Sequence, residues 1–139
     1  MGAKYIWEFG SLIFVILGTV HLVYTFFTNK FSSKNIIVIR EMKTSHLNLT
    51  KETTIWKAWI GFNASHSIGV IFIGVINFYC AFKYFSTLQS DHFFFIFNIL
   101  AIGTYLCLSK IYWFKIPLIG TLIALTCYIL SYSTILMTN

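Results

Sequence analysis

Apolar residues run almost unbroken through four stretches of the chain, at about 5–28, 59–82, 93–109 and 116–136. Polar interruptions within them are few and isolated: Glu8 and His21 in the first, Asn63, His66 and Asn77 in the second, Asn98 in the third. Each stretch is near the ~20 residues needed to cross a ~30 Å hydrocarbon core, the third being the shortest. Backbone groups in lipid must be satisfied within their own segment, so the four stretches are expected as helices. The repeated alternating segments of ~10 residues that would build a β-barrel are not visible. The pattern predicts an all-α fold, an integral membrane four-helix bundle, with residues 1–139 as a single four-span domain.

Composition sharpens this reading. The 139 residues are 58% apolar and only 10% charged, and 15 of them are Phe. A soluble domain is typically a quarter charged, and fourteen charged side chains are too few to cover one this small. The same aromatic-rich, charge-poor balance argues against disorder. The first apolar run is too long for a cleaved signal peptide, and no A-x-A site follows it. Cys80, Cys107 and Cys127 form no C-x-x-C and all lie in apolar runs, so neither a disulfide scaffold nor a zinc ribbon is expected. They read as small buried side chains.

The net charge of +6 and pI of about 9.3 could suggest a nucleic-acid partner. The basic residues, however, flank the apolar spans. The segment 30–57 holds Lys30, Lys34, Arg40, Lys43, Lys51 and Lys57, and the link before the fourth span holds Lys110 and Lys115. The other side has only Lys4 and Lys83. The positive-inside rule then puts segment 30–57 in the cytoplasm and both termini outside, with the lipid bilayer, not nucleic acid, as the partner. Ser32 and Ser33 are expected to cap a short helix over Asn35 to Ser45, with Ile36, Ile39 and Met42 as a narrow apolar stripe. Such a helix suits an anionic leaflet, and a plain basic loop is the alternative. Thr50 reads as the N-cap of a helix continuing into the second span.

Polar side chains inside a bilayer each need an account. At ~100° and ~1.5 Å per residue, Phe14, Gly18, His21, Thr25 and Thr28 share one arc of the first span. Trp59, Asn63, His66 and Asn77 share one arc of the second. His21 and His66 should both lie ~10 Å below the cytoplasmic surface of the core. Asn63, Thr25, Tyr105 and Thr121 fall at a similar depth and complete an inner polar layer. A second layer is expected nearer the outer side, with Asn77 and Asn98 at matching depth and Tyr128, Tyr132 and Glu8 as further members. Glu8 stands one turn from Lys4, which suggests an interfacial ion pair.

Three readings fit the histidine pair. The imidazoles can hydrogen-bond Asn63, Thr25 or Tyr105 and hold helices together. They can be axial ligands of haem, with Gly18 and Gly69 admitting the macrocycle. They can bind a divalent metal or relay protons, although no carboxylate lies at that depth to complete the ligand set. Gly61, Ser65 and Gly69 recur every four residues on another flank of the second span. Such a stripe lets a helix approach closely, either within the chain or from a membrane-protein partner or second copy. Gly120 and Ala124 repeat it more weakly. Trp7, Trp56, Trp59 and Trp113 fit an aromatic belt.

The run Gly61-Phe62-Asn63-Ala64-Ser65-His66-Ser67-Ile68-Gly69, taken with Gly18-Thr19-Val20-His21, resembles a family of small bacterial four-span membrane proteins of unassigned activity, marked by G-F-N-x-S-H-x-x-G in the second helix. The likeness covers mainly residues 18–74 and implies a bacterial plasma membrane. It implies no reaction. The expected function is therefore binding of a ligand or cofactor, or support of a membrane complex, through the His/Asn layer. An oxidoreductase or lipid-modifying enzyme using His21 and His66 is the first alternative, and a purely structural subunit the second. Catalysis ranks lower because the sequence shows no Ser-His-Asp order and no acidic pair at that layer.

Overall fold

The computed structural model describes residues 2–138. The described residues are all-α, with five helices and one small hairpin in the order α1 (Gly2–Phe27), α2 (Ile36–Thr44), β1 (His46–Leu47), β2 (Thr50–Thr54), α3 (Ile55–Leu88), α4 (His92–Tyr112) and α5 (Lys115–Thr138). α1, α3, α4 and α5 are each long and apolar enough to cross a membrane. All four outrun the apolar stretches read from the sequence. At ~1.5 Å per residue the 34 residues of α3 extend for ~50 Å, well beyond a ~30 Å core. The residues they expose are largely aromatic or aliphatic, including Phe62, Phe72, Phe93, Phe97 and Leu100. That is the polarity of a lipid-facing surface. Exposed Thr104, Thr126 and Thr134 each donate to the carbonyl four residues earlier, so their hydroxyls need no water.

The chain divides into two compact units, Met1–Leu17 with Val70–Asn139, and Gly18–Gly69. The first unit packs parts of all four long helices into a bundle. Trp7 of α1 is fully buried against Phe94 and Phe95 of α4 and Tyr128 of α5, with ring centroids 5.7, 4.8 and 3.9 Å away. Phe14, Ile102, Ala124 and Ile135 extend that core along the helices. Two glycines set the spacing. A Cβ on Gly74 would stand 2.8 Å from the Ser11 carbonyl and the Val15 nitrogen, so α3 meets α1 almost backbone to backbone. A Cβ on Gly120 would stand 2.8 Å from Leu17. Small residues at helix contacts of this kind are the usual source of packing energy in lipid, where no hydrophobic drive separates one apolar face from another.

Two further features shape this unit. α3 departs from helical geometry at Tyr84 (φ −124°, ψ 16°), and the Lys4 ammonium donates to the nearby Phe82 carbonyl at 2.9 Å. α4 ends at Trp113, whose N–H bonds the Ser109 carbonyl, and α5 opens with Pro117 in its first turn. The missing Pro117 N–H costs little there, because first-turn amides have no intrahelical partner.

The second unit comprises the end of α1, the connecting segment and the start of α3. α2 forms close to where the pattern suggested, but its cap is Asn35, not Ser32 or Ser33. The Asn35 side chain accepts from the Ile37 N–H at 2.9 Å, while the Ser33 hydroxyl accepts from Asn35 N–H one step earlier. Thr50 does not begin a helix either. It starts β2, which pairs antiparallel with β1 in the register His46↔Thr54 and Leu47↔Thr50. α3 begins at Ile55, and Thr54 Oγ1 accepts from the Lys57 N–H. Thr53 and Thr54 are β-branched and favour the extended strand, which delays the helix by one short strand.

Candidate functional site

In the second unit α1 presents His21 and Thr25 on one face, four residues apart, and α3 presents Asn63 and His66, three apart. These spacings put each pair on adjoining turns of its helix. The structure brings His21, Asn63 and His66 together. His21 Nε2 lies 3.0 Å from Asn63 Oδ1. The two imidazoles meet edge to face, with centroids 5.5 Å apart and planes inclined at 70°. His66 in turn lies parallel to Phe62 one turn away.

The Asn63 amide fixes the chemistry of this contact. Its Nδ2 donates to the Trp59 carbonyl at 2.9 Å, so its Oδ1 is the atom that faces His21. An amide oxygen only accepts, hence His21 Nε2 carries a hydrogen and donates. In the neutral ring the lone pair is then on Nδ1. Thr25 is buried and donates to the His21 carbonyl at 2.9 Å, and Ser67 donates to the Asn63 carbonyl at 2.7 Å. These hydroxyls close polar groups on the two helices but leave the His21, Asn63 and His66 side chains only half-buried.

The connecting segment lays an aromatic floor against this cluster. The Phe31 ring packs on His21 at 4.4 Å and contacts Tyr24 and Trp59 at 6.0 and 6.4 Å. Trp56 stacks on Trp59 at 5.9 Å. Lys30 and Lys43 stand over Tyr24 and Trp56 at 4.2 and 5.4 Å, within cation–π range. Phe31 also lines a cavity of about 300 Å³, walled in addition by Thr25, Phe26, Thr28, Asn29, Ser32, Trp56, Trp59 and Ile60. Its lining mixes aromatic surface with hydroxyl and amide groups, as sites for small amphipathic molecules do. Nothing in the sequence pointed to Phe31, because it lies outside the apolar spans, four residues past the end of α1, and in no motif.

Tyr105 and Thr121 belong to the first unit. Tyr105 meets Phe14 edge to face at 5.7 Å. Thr121 is buried, lies 3.1 Å from the Ser109 hydroxyl and donates to the Pro117 carbonyl. The expected outer-layer residues lie in that unit too. Asn77 Nδ2 donates to Asn98 Oδ1 at 2.7 Å, joining α3 to α4 as their matching depths suggested. Tyr128 joins no asparagine and instead shares a 2.8 Å bond with the Ser11 hydroxyl. Glu8 stands 3.8 Å from Lys4, an ion-pair distance too long for a hydrogen bond. Tyr132 bonds His92 Nδ1 at 3.1 Å.

A divalent metal fits this donor set poorly. His21 Nε2 donates to Asn63, which leaves the Nδ1 lone pair as the one ligating atom of that ring. Among the described residues no group of three or more His, Cys, Asp or Glu side chains stands together. A closed metal site takes four protein ligands, and an open one three. Of the small-residue stripe, Gly61 and Gly69 have open space: a Cβ on either would meet nothing within 4 Å, so neither glycine stands at a close helix contact within its unit. Gly120 and Ala124, the weaker pattern, are the ones that pack.

No protein family, curated protein or solved structure matches the chain.

Proposed function

We propose that the chain is a multi-pass membrane protein that binds a small amphipathic organic ligand beside His21, Asn63 and His66. The observation that carries this reading is the half-buried His21–Asn63 hydrogen bond with His66 set edge-on to it. Two helices here present oriented polar atoms that are neither sealed in a core nor assembled into a metal ligand set. The cavity lined by Phe31 supplies room for an apolar or aromatic portion, and its hydroxyls supply hydrogen bonds. The excess of basic residues in segment 30–57 supports a plasma-membrane orientation with that segment in the cytoplasm and both termini outside. The G-F-N-x-S-H-x-x-G run supports a bacterial origin.

The test is to purify the protein in mild detergent and extract bound organic molecules for mass spectrometry, with an absorption spectrum and metal analysis of the same sample. A stoichiometric organic species is expected, missing from His21→Ala and His66→Ala while both variants keep their helical signal. A Soret band or a stoichiometric metal that disappears in those variants would replace this reading with a metalloprotein. A protein with nothing bound, whose two variants lose thermal stability, would make the histidines a structural contact only.

A further inference from the structure

We infer that α2 is a membrane-surface helix that lies on anionic lipid headgroups through its Ile36–Ile37–Arg40–Lys43 face. None of its nine residues is buried. Ile36 and Ile37 are 68% and 61% exposed, an unfavourable state for two adjacent aliphatic side chains in water. On the helical wheel Lys43, Ile36, Arg40, Thr44 and Ile37 fall within an arc of about 120°. That arc interleaves apolar side chains with cations, the arrangement that sinks aliphatics to the acyl boundary while long basic side chains reach phosphates; Arg40 is its central cation, and Lys43, at its edge, also stands over the Trp56 ring. Ile39 and Met42, on the other flank, are half-buried and so already partnered.

Charge and tethering name the occupant. Residues 30–57 carry six Lys or Arg and two Glu, a net +4 of the chain's +6. Glu41 projects roughly 100° away from Arg40 and leaves the basic arc uninterrupted. Lys34 precedes the helix and is exposed. The segment is also held at both ends by α1 and α3, helices long and apolar enough to span a membrane, and α2 starts nine residues after Phe27. A basic, amphipathic helix leashed to the bilayer at both ends meets a negatively charged leaflet before any other surface. This inference does not depend on the ligand beside His21.

The experiment places the full chain, one copy per nanodisc, in phosphatidylcholine alone or in phosphatidylcholine mixed with phosphatidylglycerol, and follows amide hydrogen exchange. Both leaflets of a disc carry the anionic lipid, so the result is independent of orientation. Exchange over residues 36–44 is expected to slow by about tenfold in the anionic discs. The slowing should vanish in Lys34→Gln/Arg40→Gln/Lys43→Gln, and separately in Ile36→Ser/Ile37→Ser, both of which keep the Asn35 cap. Equal exchange in the two lipids, or unchanged slowing in the charge variant, would overturn the inference. Protection that appears only when two copies share a disc would assign the face to a second copy instead, and would overturn it as well.

Discussion

The two units differ in how far they close off their central polar side chains, although Thr25 and Ser67 of the second are buried and bonded as well. In the first, Ser11, Asn77, Ser109, Thr121 and Ser131 are at most 2% exposed, and each is tied to a neighbouring helix or to its own backbone. Ser131, for example, donates to the Ala3 carbonyl at 2.7 Å across 128 residues of sequence. In the second, His21 meets both Asn63 and His66, yet all three stay half-buried, and the cavity of that unit is lined by their neighbours Thr25, Phe31 and Trp59. Hydroxyls and amides bonded in this way serve packing, since burial without a partner is costly; of these five side chains Asn77 alone keeps a buried atom, Oδ1, with no partner. Side chains oriented by hydrogen bonds but left partly open can still meet another molecule. The difference between the units, not the mere presence of polar atoms in the spans, is what supports the proposed site.

The largest effect should come from the closest helix contact. Gly74→Ala sets a Cβ 2.8 Å from two backbone atoms of α1, and backbone cannot swing away as a side chain can. We expect a loss of about 3 kcal/mol, near the top of the range for overpacking, read as a fall in the thermal midpoint in detergent. A midpoint equal to wild type would mean that α1 and α3 are not in this register. Tyr128→Phe comes next. It deletes the hydroxyl bonded to Ser11 while keeping the ring against Trp7, so about 1 kcal/mol is expected, as for other buried interhelical bonds. The Ser11 hydroxyl retains its bond to the Trp7 carbonyl, which keeps the loss small.

The fold was legible because lipid leaves so few options: long apolar runs must be helices, and length alone counts them. The contact between His21 and His66 was legible for the same reason, since depth in consecutive antiparallel spans follows from the rise per residue. So was the bond from Asn77 to Asn98. What the pattern could not supply were decisions made by local competition. Thr50 and Thr54 are equally good caps in isolation, and only the pairing of Thr50–Thr54 with His46–Leu47 selects Thr54. Asn35 displaces the serines because the helix starts one residue after it, at Ile36, while the Ser33 hydroxyl is taken by the Asn35 N–H. Side-chain identity also says nothing about which small-residue stripe is used. Gly61, Ser65 and Gly69 form the better motif, yet Gly74 and Gly120 sit at the contacts.

A smaller effect separates the units directly. His21→Ala should change stability by about 0.5 kcal/mol or less, because Asn63 keeps its bond to the Trp59 carbonyl and its oxygen is not sealed from other partners. Unfolding in detergent measured beside Tyr128→Phe checks the order. If His21→Ala proves the more damaging, the histidine cluster is a packing element, and the contrast between the two units fails.

The smallest effect is the most discriminating. Gly61→Ala and Gly69→Ala add a methyl where nothing lies within 4 Å, on a flank whose neighbours Phe62 and Ile68 are exposed. A helix-interior glycine replaced by alanine usually gains stability, by up to ~1 kcal/mol in water. In lipid the backbone is already held helical by the lack of any other hydrogen-bond partner, so a gain of only a few tenths is expected. Paired with Gly74→Ala, the experiment compares the same methyl on the same helix, once against a neighbour and once against lipid. The isolated protein should separate the two by about 3 kcal/mol. A fall in Gly61→Ala or Gly69→Ala similar to that of Gly74→Ala would mean that another helix already occupies the stripe. Size-exclusion light scattering on the same samples would then show wild type as an oligomer that the alanine variants dissociate.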